Sequence, residues 1–167
     1  MRRLVAALGL AMMATAAPGA PPTPPLFSCR DADWTATLIG TEDGRLLLET
    51  RPSARGMGNV ASSWEEVREG YVGGQGGGHQ SHLRLFDGFR QIILFEGEDG
   101  SLADRPGRTY AGALTITESN PQQDFRIDCA ATPDNAALLD NVRAWAARTG
   151  AKPPLPEDEG GPFDAWF

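Results

Sequence analysis

Hydrophobic and polar positions alternate with period two along most of the chain. In "DWTATLIG", 33 to 40, Trp34, Ala36 and Leu38 oppose Thr35, Thr37 and Ile39. In "GRLLLETR", 44 to 51, Leu46 and Leu48 oppose Arg45, Glu49 and Arg51. This period marks strands with one face buried, and "EDG" between the two runs predicts a hairpin turn. The inward parity breaks between Cys29 and Trp34, so "RDAD" predicts a turn or bulge. "SHLRLFDGFRQIILFEGE", 81 to 98, gives two β-rich runs joined at Asp87-Gly88, a good short-range hairpin signal. "RTYAGALTITES", 108 to 119, and "QDFRIDC", 123 to 129, form a further pair. Tyr110, Gly112, Leu114 and Ile116 share one strand face; Phe125, Ile127 and Cys129 share another, opposite Arg126 and Asp128.

Two stretches carry helix signals instead. Ser63 followed by Glu66 is a capping box, and Gly70 can close a short helix near 64–69. "TPDNAALLDNVRAWAARTG" offers Thr132 as N-cap and Pro133 at the first helical position. Leu138, Val142, Trp145 and Thr149 then follow helical spacing up to Gly150, predicting a helix near 133–149. The elements together predict a mainly β protein. It would be a small antiparallel β-barrel or sandwich of six to seven strands, with the last helix laid on the sheet.

The ends bound this domain. Arg2 and Arg3 precede an apolar run of 14 residues, Leu4 to Ala17, followed by small residues and prolines. That layout predicts a secretory signal peptide over 1–19, because the run is shorter than the roughly 20 apolar residues needed to span a bilayer. Residues 20–25 read as a Pro-rich spacer, 26–150 as one β-domain and 151–167 as a Pro-rich, acidic tail of little fixed structure. The implied location is periplasmic or secreted. Cys29 and Cys129 are the only cysteines, and in an exported chain both look like inward strand residues, which predicts a disulfide. The rival, lipidation of Cys29, fits poorly because Phe27 and "PPTPP" spoil a lipobox.

The formal charge of −7 disfavours nonspecific binding to nucleic acid or anionic lipid. The chemistry-bearing stretch is "GGQGGGHQSH", 73 to 82. Its glycines suggest a phosphate nest, but neither a lysine nor a helix N-terminus follows, as a phosphate loop requires. His79 and His82 are the only histidines. A loop would let both reach one metal ion, whereas a strand would send them to opposite faces. Ser81 between them lacks a nucleophile motif, and pairs such as Glu96 and Glu98 have no sugar cleft around them. The composition points to no cofactor and no catalytic residue. Gly76, Gly77, Gly78 and His79, in a loop leading into a strand, and Trp166 and Phe167, aromatics at the tail's end, are the candidate partner-binding residues.

"GGGHQSHLRLFDGFRQIILFEG" with a later terminal "DC" resembles a pattern of small exported proteobacterial proteins of unknown function. In these a glycine cluster leads into an "LRF…G…Y" hairpin and a cysteine closes the β region. Phe89 and Phe95 stand where that pattern has tyrosines, so no hydroxyl role carries over. The predicted architecture also looks like the small barrels of periplasmic lysozyme inhibitors, without their inhibitory loop motif; that likeness concerns fold alone. The expected function is a non-catalytic binding or inhibitor-like module for a periplasmic or envelope protein, with no membrane span in the mature chain and oligomeric state left open. The alternatives are a small metal-dependent or hydrolytic enzyme using His79 and His82, and an envelope-structural protein.

Overall fold

The computed structural model describes residues 24–51, 60–62, 66–87, 90–101, 106–117, 125–130 and 137–156. Among these, the chain is mainly β, in two sheets. The first has four strands in sequence order: β1 (Phe27–Asp31), β2 (Trp34–Gly40), β3 (Leu46–Arg51) and β4 (Val60–Ser62). The second has six: β5 (Arg68–Gly73), β6 (His79–Asp87), β7 (Arg90–Glu98), β8 (Thr109–Thr117), β9 (Phe125–Asp128) and β10 (Leu155–Pro156), in the order β10-β5-β6-β7-β8-β9. One helix, α1 (Leu138–Thr149), follows β9. The sheets do not close on one another, so the arrangement is two-layered rather than a barrel.

The predicted hairpins form. Leu38 pairs with Leu48 across β2 and β3, Asp87 with Arg90 at the tip of β6 and β7, and Thr115 with Phe125 across β8 and β9. At the β2–β3 turn the Thr41 hydroxyl accepts from the Arg45 N–H at 3.0 Å and donates to the Asp43 carboxylate at 2.5 Å. "RDAD" resolves into the end of β1 and a two-residue turn, with Asp31 opposite Trp34.

Strands outnumber the expectation because β1, β4, β5 and β10 carry weak sequence signals. The short helix expected near 64–69 is not present where residues are described, since Arg68 and Glu69 begin β5. Six consecutive residues there pair with β6, from Arg68 opposite Arg84 to Gly73 opposite His79. A long-range ladder with a partner strand outweighs a capping box, whose signal is local; residues 63–65 lie outside the described residues. Leu155 and Pro156 of the expected tail add a short strand to the sheet. Leu155 donates its N–H to the Val67 carbonyl at 3.2 Å, and β10 runs parallel to β5.

The core lies between the sheets. Trp34, Ala36, Leu38, Leu46 and Leu48 face Leu83, Leu85, Ile92, Leu94 and Ala113, all buried. The helix covers the rest of the inner side of the larger sheet, burying Leu138, Leu139, Val142, Trp145 and Ala146. It starts at Leu138 rather than near 133, and Ala137 in the N-cap position makes no side-chain cap. Thr132 and Pro133 lie outside the described residues. At the other end Gly150 caps the helix in the left-handed conformation, as expected.

A disulfide joins Cys29 to Cys129, with Cα atoms 5.1 Å apart. Cys129 lies one residue beyond β9, and the adjacent Ala130 donates its N–H to the Arg30 carbonyl at 2.7 Å. The bond therefore fastens β1, an edge of the smaller sheet, to the β9 edge of the larger one.

Candidate functional site

The glycine stretch is a compact turn, not the open loop the sequence suggests. Gly73 pairs with His79, which leaves five residues to reverse the chain. They do so through a single 3-10 turn, Gln75–Gly77, with Gly76 and Gly77 at φ 65° and 83°. Such values favour glycine. The Gly74 N–H donates to the Gly78 carbonyl at 2.7 Å, and Ser101 donates its N–H to the Gly76 carbonyl at 3.0 Å. The turn is thus tied to the segment after β7. A side chain at position 76 would press on the Ser101 carbonyl.

Beside this turn stands Tyr71, 66% exposed, its ring stacked on His79 at 6.0 Å between centroids. The two are diagonal neighbours across β5 and β6. His82, three residues along β6, goes to the opposite face and is buried. The strand period therefore separates the two histidines, and they do not converge on one ion. Among the described residues no group of three or more His, Cys, Asp and Glu side chains is placed to hold a metal. Trp166 and Phe167 lie outside the described residues.

Ser81 pairs with Glu96 on the helix-facing side of β6 and β7. Glu96 is buried, and its carboxylate accepts the Leu138 N–H at 2.5 Å. It supplies the cap that Ala137 cannot, satisfying an orphan donor of the first helical turn. Burial pushes its pKa up to about 7; the Leu138 hydrogen bond and the His79 charge oppose the rise, and Asp140 adds to it. Arg143, one turn into α1, holds Glu69 of β5 at 2.7 Å. These carboxylates dock the helix.

The outer face of the larger sheet is built from rows across its strands. In one row Gly70, His82, Phe95, Gly112 and Asp128 stand side by side. The His82 ring occupies the space a side chain at Gly70 would need, and the Phe95 ring does the same at Gly112. Arg126 stacks over Phe95, its Cζ 5.2 Å from the ring centroid. In the next row Tyr110 leans over Gly97 and donates its hydroxyl to Gln80 Oε1 at 3.0 Å. Burial, with Asp99 nearby, raises the Tyr110 pKa above that of a free phenol, so the hydroxyl remains a donor at neutral pH.

The outer face of the smaller sheet is open, and two of its rows are polar. Arg30, Thr35 and Arg51 form one row across β1, β2 and β3, and Ser28, Thr37 and Glu49 form the next. Two adjoining surface grooves, about 510 and 490 Å³, share Arg30, Thr35 and Arg51 in their walls. Sequence reading did not single out these residues. Their common outward parity was the available signal.

Among the described residues, fold and surfaces define a disulfide-fastened, two-sheet β protein with one docked helix and a solvated outer face on its smaller sheet. No protein family, curated protein or solved structure matches the chain.

Proposed function

We propose that the protein is an exported, non-catalytic binding module that docks a periplasmic or envelope protein through the surface around its glycine turn. The exposed Tyr71 ring, held against His79, carries this reading. A large aromatic left in solvent on a rigid strand is the kind of side chain that anchors interfaces. The compact turn beside it lowers the ordering cost of docking. Leu155, 47% exposed on the neighbouring edge strand, adds apolar area to the same edge of the sheet. The Cys29–Cys129 disulfide fits an oxidising compartment, and no helix among the described residues is long and apolar enough to cross a membrane. The resemblance to small exported proteins fits the same location.

The test is capture from periplasmic extract by the oxidised protein and by a Tyr71→Ser, His79→Ala double variant of unchanged melting temperature. The proposal expects a specific protein retained by the first and lost by the second. Equal capture by both would move the interface elsewhere. A zinc titration separates the enzymatic alternative: micromolar binding abolished by replacing His79 and His82 would favour it over docking.

A further inference from the structure

We infer a second binding site on the outer face of the smaller sheet, for an acidic sugar whose oxyanion sits between Arg30 and Arg51. The two arginines flank Thr35 on adjacent strands, so their Cα atoms are about 10 Å apart, two strand spacings. Guanidinium groups from either side can close on one oxyanion above the Thr35 hydroxyl, with forked donors that match carboxylate or phosphate oxygens. Both arginines are exposed, and neither forms an ion pair among the described residues. Two like charges are thus held side by side in a chain of net charge −7.

The adjoining row sets the rest of the ligand. Ser28 and Thr37 present hydroxyls, and Glu49 presents a carboxylate, all lining the groove of about 490 Å³. A carboxylate there accepts hydrogen bonds from sugar hydroxyls. On the other side of the Arg–Thr–Arg row, Asp31 and Asp33 join the wall of the groove of about 510 Å³ and can likewise accept hydrogen bonds from sugar hydroxyls. The two grooves meet at the arginines, which suits a chain of several sugar units passing over them.

The shared chemistry is an oxyanion on a hydroxylated ring, and either a uronic acid or a sugar phosphate supplies it. Titration of the oxidised protein, followed by amide NMR shifts at Ser28, Thr35 and Thr37, tests the site. The probes are tetragalacturonate, glucose 6-phosphate, uncharged maltotetraose, inorganic phosphate and poly-glutamate. One acidic sugar should bind at least tenfold more tightly than maltotetraose; whether it is the uronate or the phosphate names the source. Arg30→Ala and Arg51→Ala should each weaken it about fivefold or more, and together abolish the shifts. Both side chains are exposed, so the variants should melt with the wild type. The inference is overturned if neither acidic sugar binds or if the double variant binds equally well. It also fails if inorganic phosphate or poly-glutamate binds as tightly as either sugar, which would leave an adventitious ion only or an acidic-peptide surface.

Discussion

The outer faces of the two sheets solve the same problem in opposite ways. Each is a sheet surface turned away from the shared core. On the smaller sheet the inward residues of β2 are buried and the outward ones half-exposed, in strict alternation. Its outer side chains include Arg30, Thr35, Thr37 and Arg51, which stand toward solvent. On the larger sheet seven consecutive residues of β7, Gln91 to Gly97, are buried on both faces. Its outer rings are laid over glycines of the neighbouring strands, with Arg126 stacked on Phe95. The second face thus behaves as a thin additional core. The contrast separates a closely packed outer face from a solvated one.

Breaking the link between the sheets should have the largest effect. The disulfide closes a loop spanning 100 residues, which the chain-entropy model values at about 4.7 kcal/mol. A Cys29→Ser, Cys129→Ser variant should lose most of this in urea unfolding. A loss under about 1 kcal/mol would mean that the interlayer core alone holds the sheets together. Next come the faces themselves. Phe95→Ala removes a fully buried ring and should cost about 3–5 kcal/mol. Thr37→Ala, at the corresponding outward position of the other sheet, should cost under about 1 kcal/mol. Similar costs at the two positions would erase the contrast.

Glu96 tests the inner side of the same sheet, where α1 is docked. Its folded pKa, about 7, lies above its ordinary value of 4.5. The group's contribution is therefore fully present below about pH 4.5 and is lost as pH rises through 7. Across that window stability should fall by roughly 3 kcal/mol, the free-energy equivalent of the shift. Glu96→Gln keeps an oxygen for the Leu138 N–H and cannot ionise. It should match wild type near pH 4.5, exceed it at pH 8 and flatten the slope in urea titrations between those limits. A wild-type profile already flat there would show that the carboxylate is charged without cost.

Legibility in the sequence follows the same division. On the smaller sheet, Trp34, Ala36, Leu38, Leu46 and Leu48 carried the inward pattern, and the hairpin and its turn formed as expected. On the larger sheet "QIILFEG" has no alternation to read, since both faces are buried. Gly70 read as a helix terminator and Gly112 as one member of a strand face; the work of Gly70, Gly97 and Gly112 as clearance for His82, Tyr110 and Phe95 depends on register across four strands. β5 hid behind a capping box because its stabilising partner, β6, is reached only after the chain reverses. The cysteine pairing was legible from compartment and parity. The Arg30–Thr35–Arg51 row was nearly so, and was missed because its members come together only through the β1–β2 and β2–β3 registers.

The smallest effect sharpens the comparison most. If the larger sheet's outer face is a thin core, its polar atoms must be satisfied within it, whereas those of the smaller sheet have water. Gln80 is fully buried; its Oε1 accepts from Tyr110, and its Nε2 has no acceptor among the described residues. Tyr110→Phe keeps the ring over Gly97 and leaves the Gln80 amide without its donor, at an expected cost of about 1–3 kcal/mol. Gln80→Met in that background removes the stranded amide at nearly constant volume. The double variant should therefore be more stable than Tyr110→Phe alone, because deleting both partners of a buried bond costs less than deleting one. Strictly additive costs would mean that water reaches Gln80. The outer face of the larger sheet would then be a surface like the other, and the distinction between the two would fail.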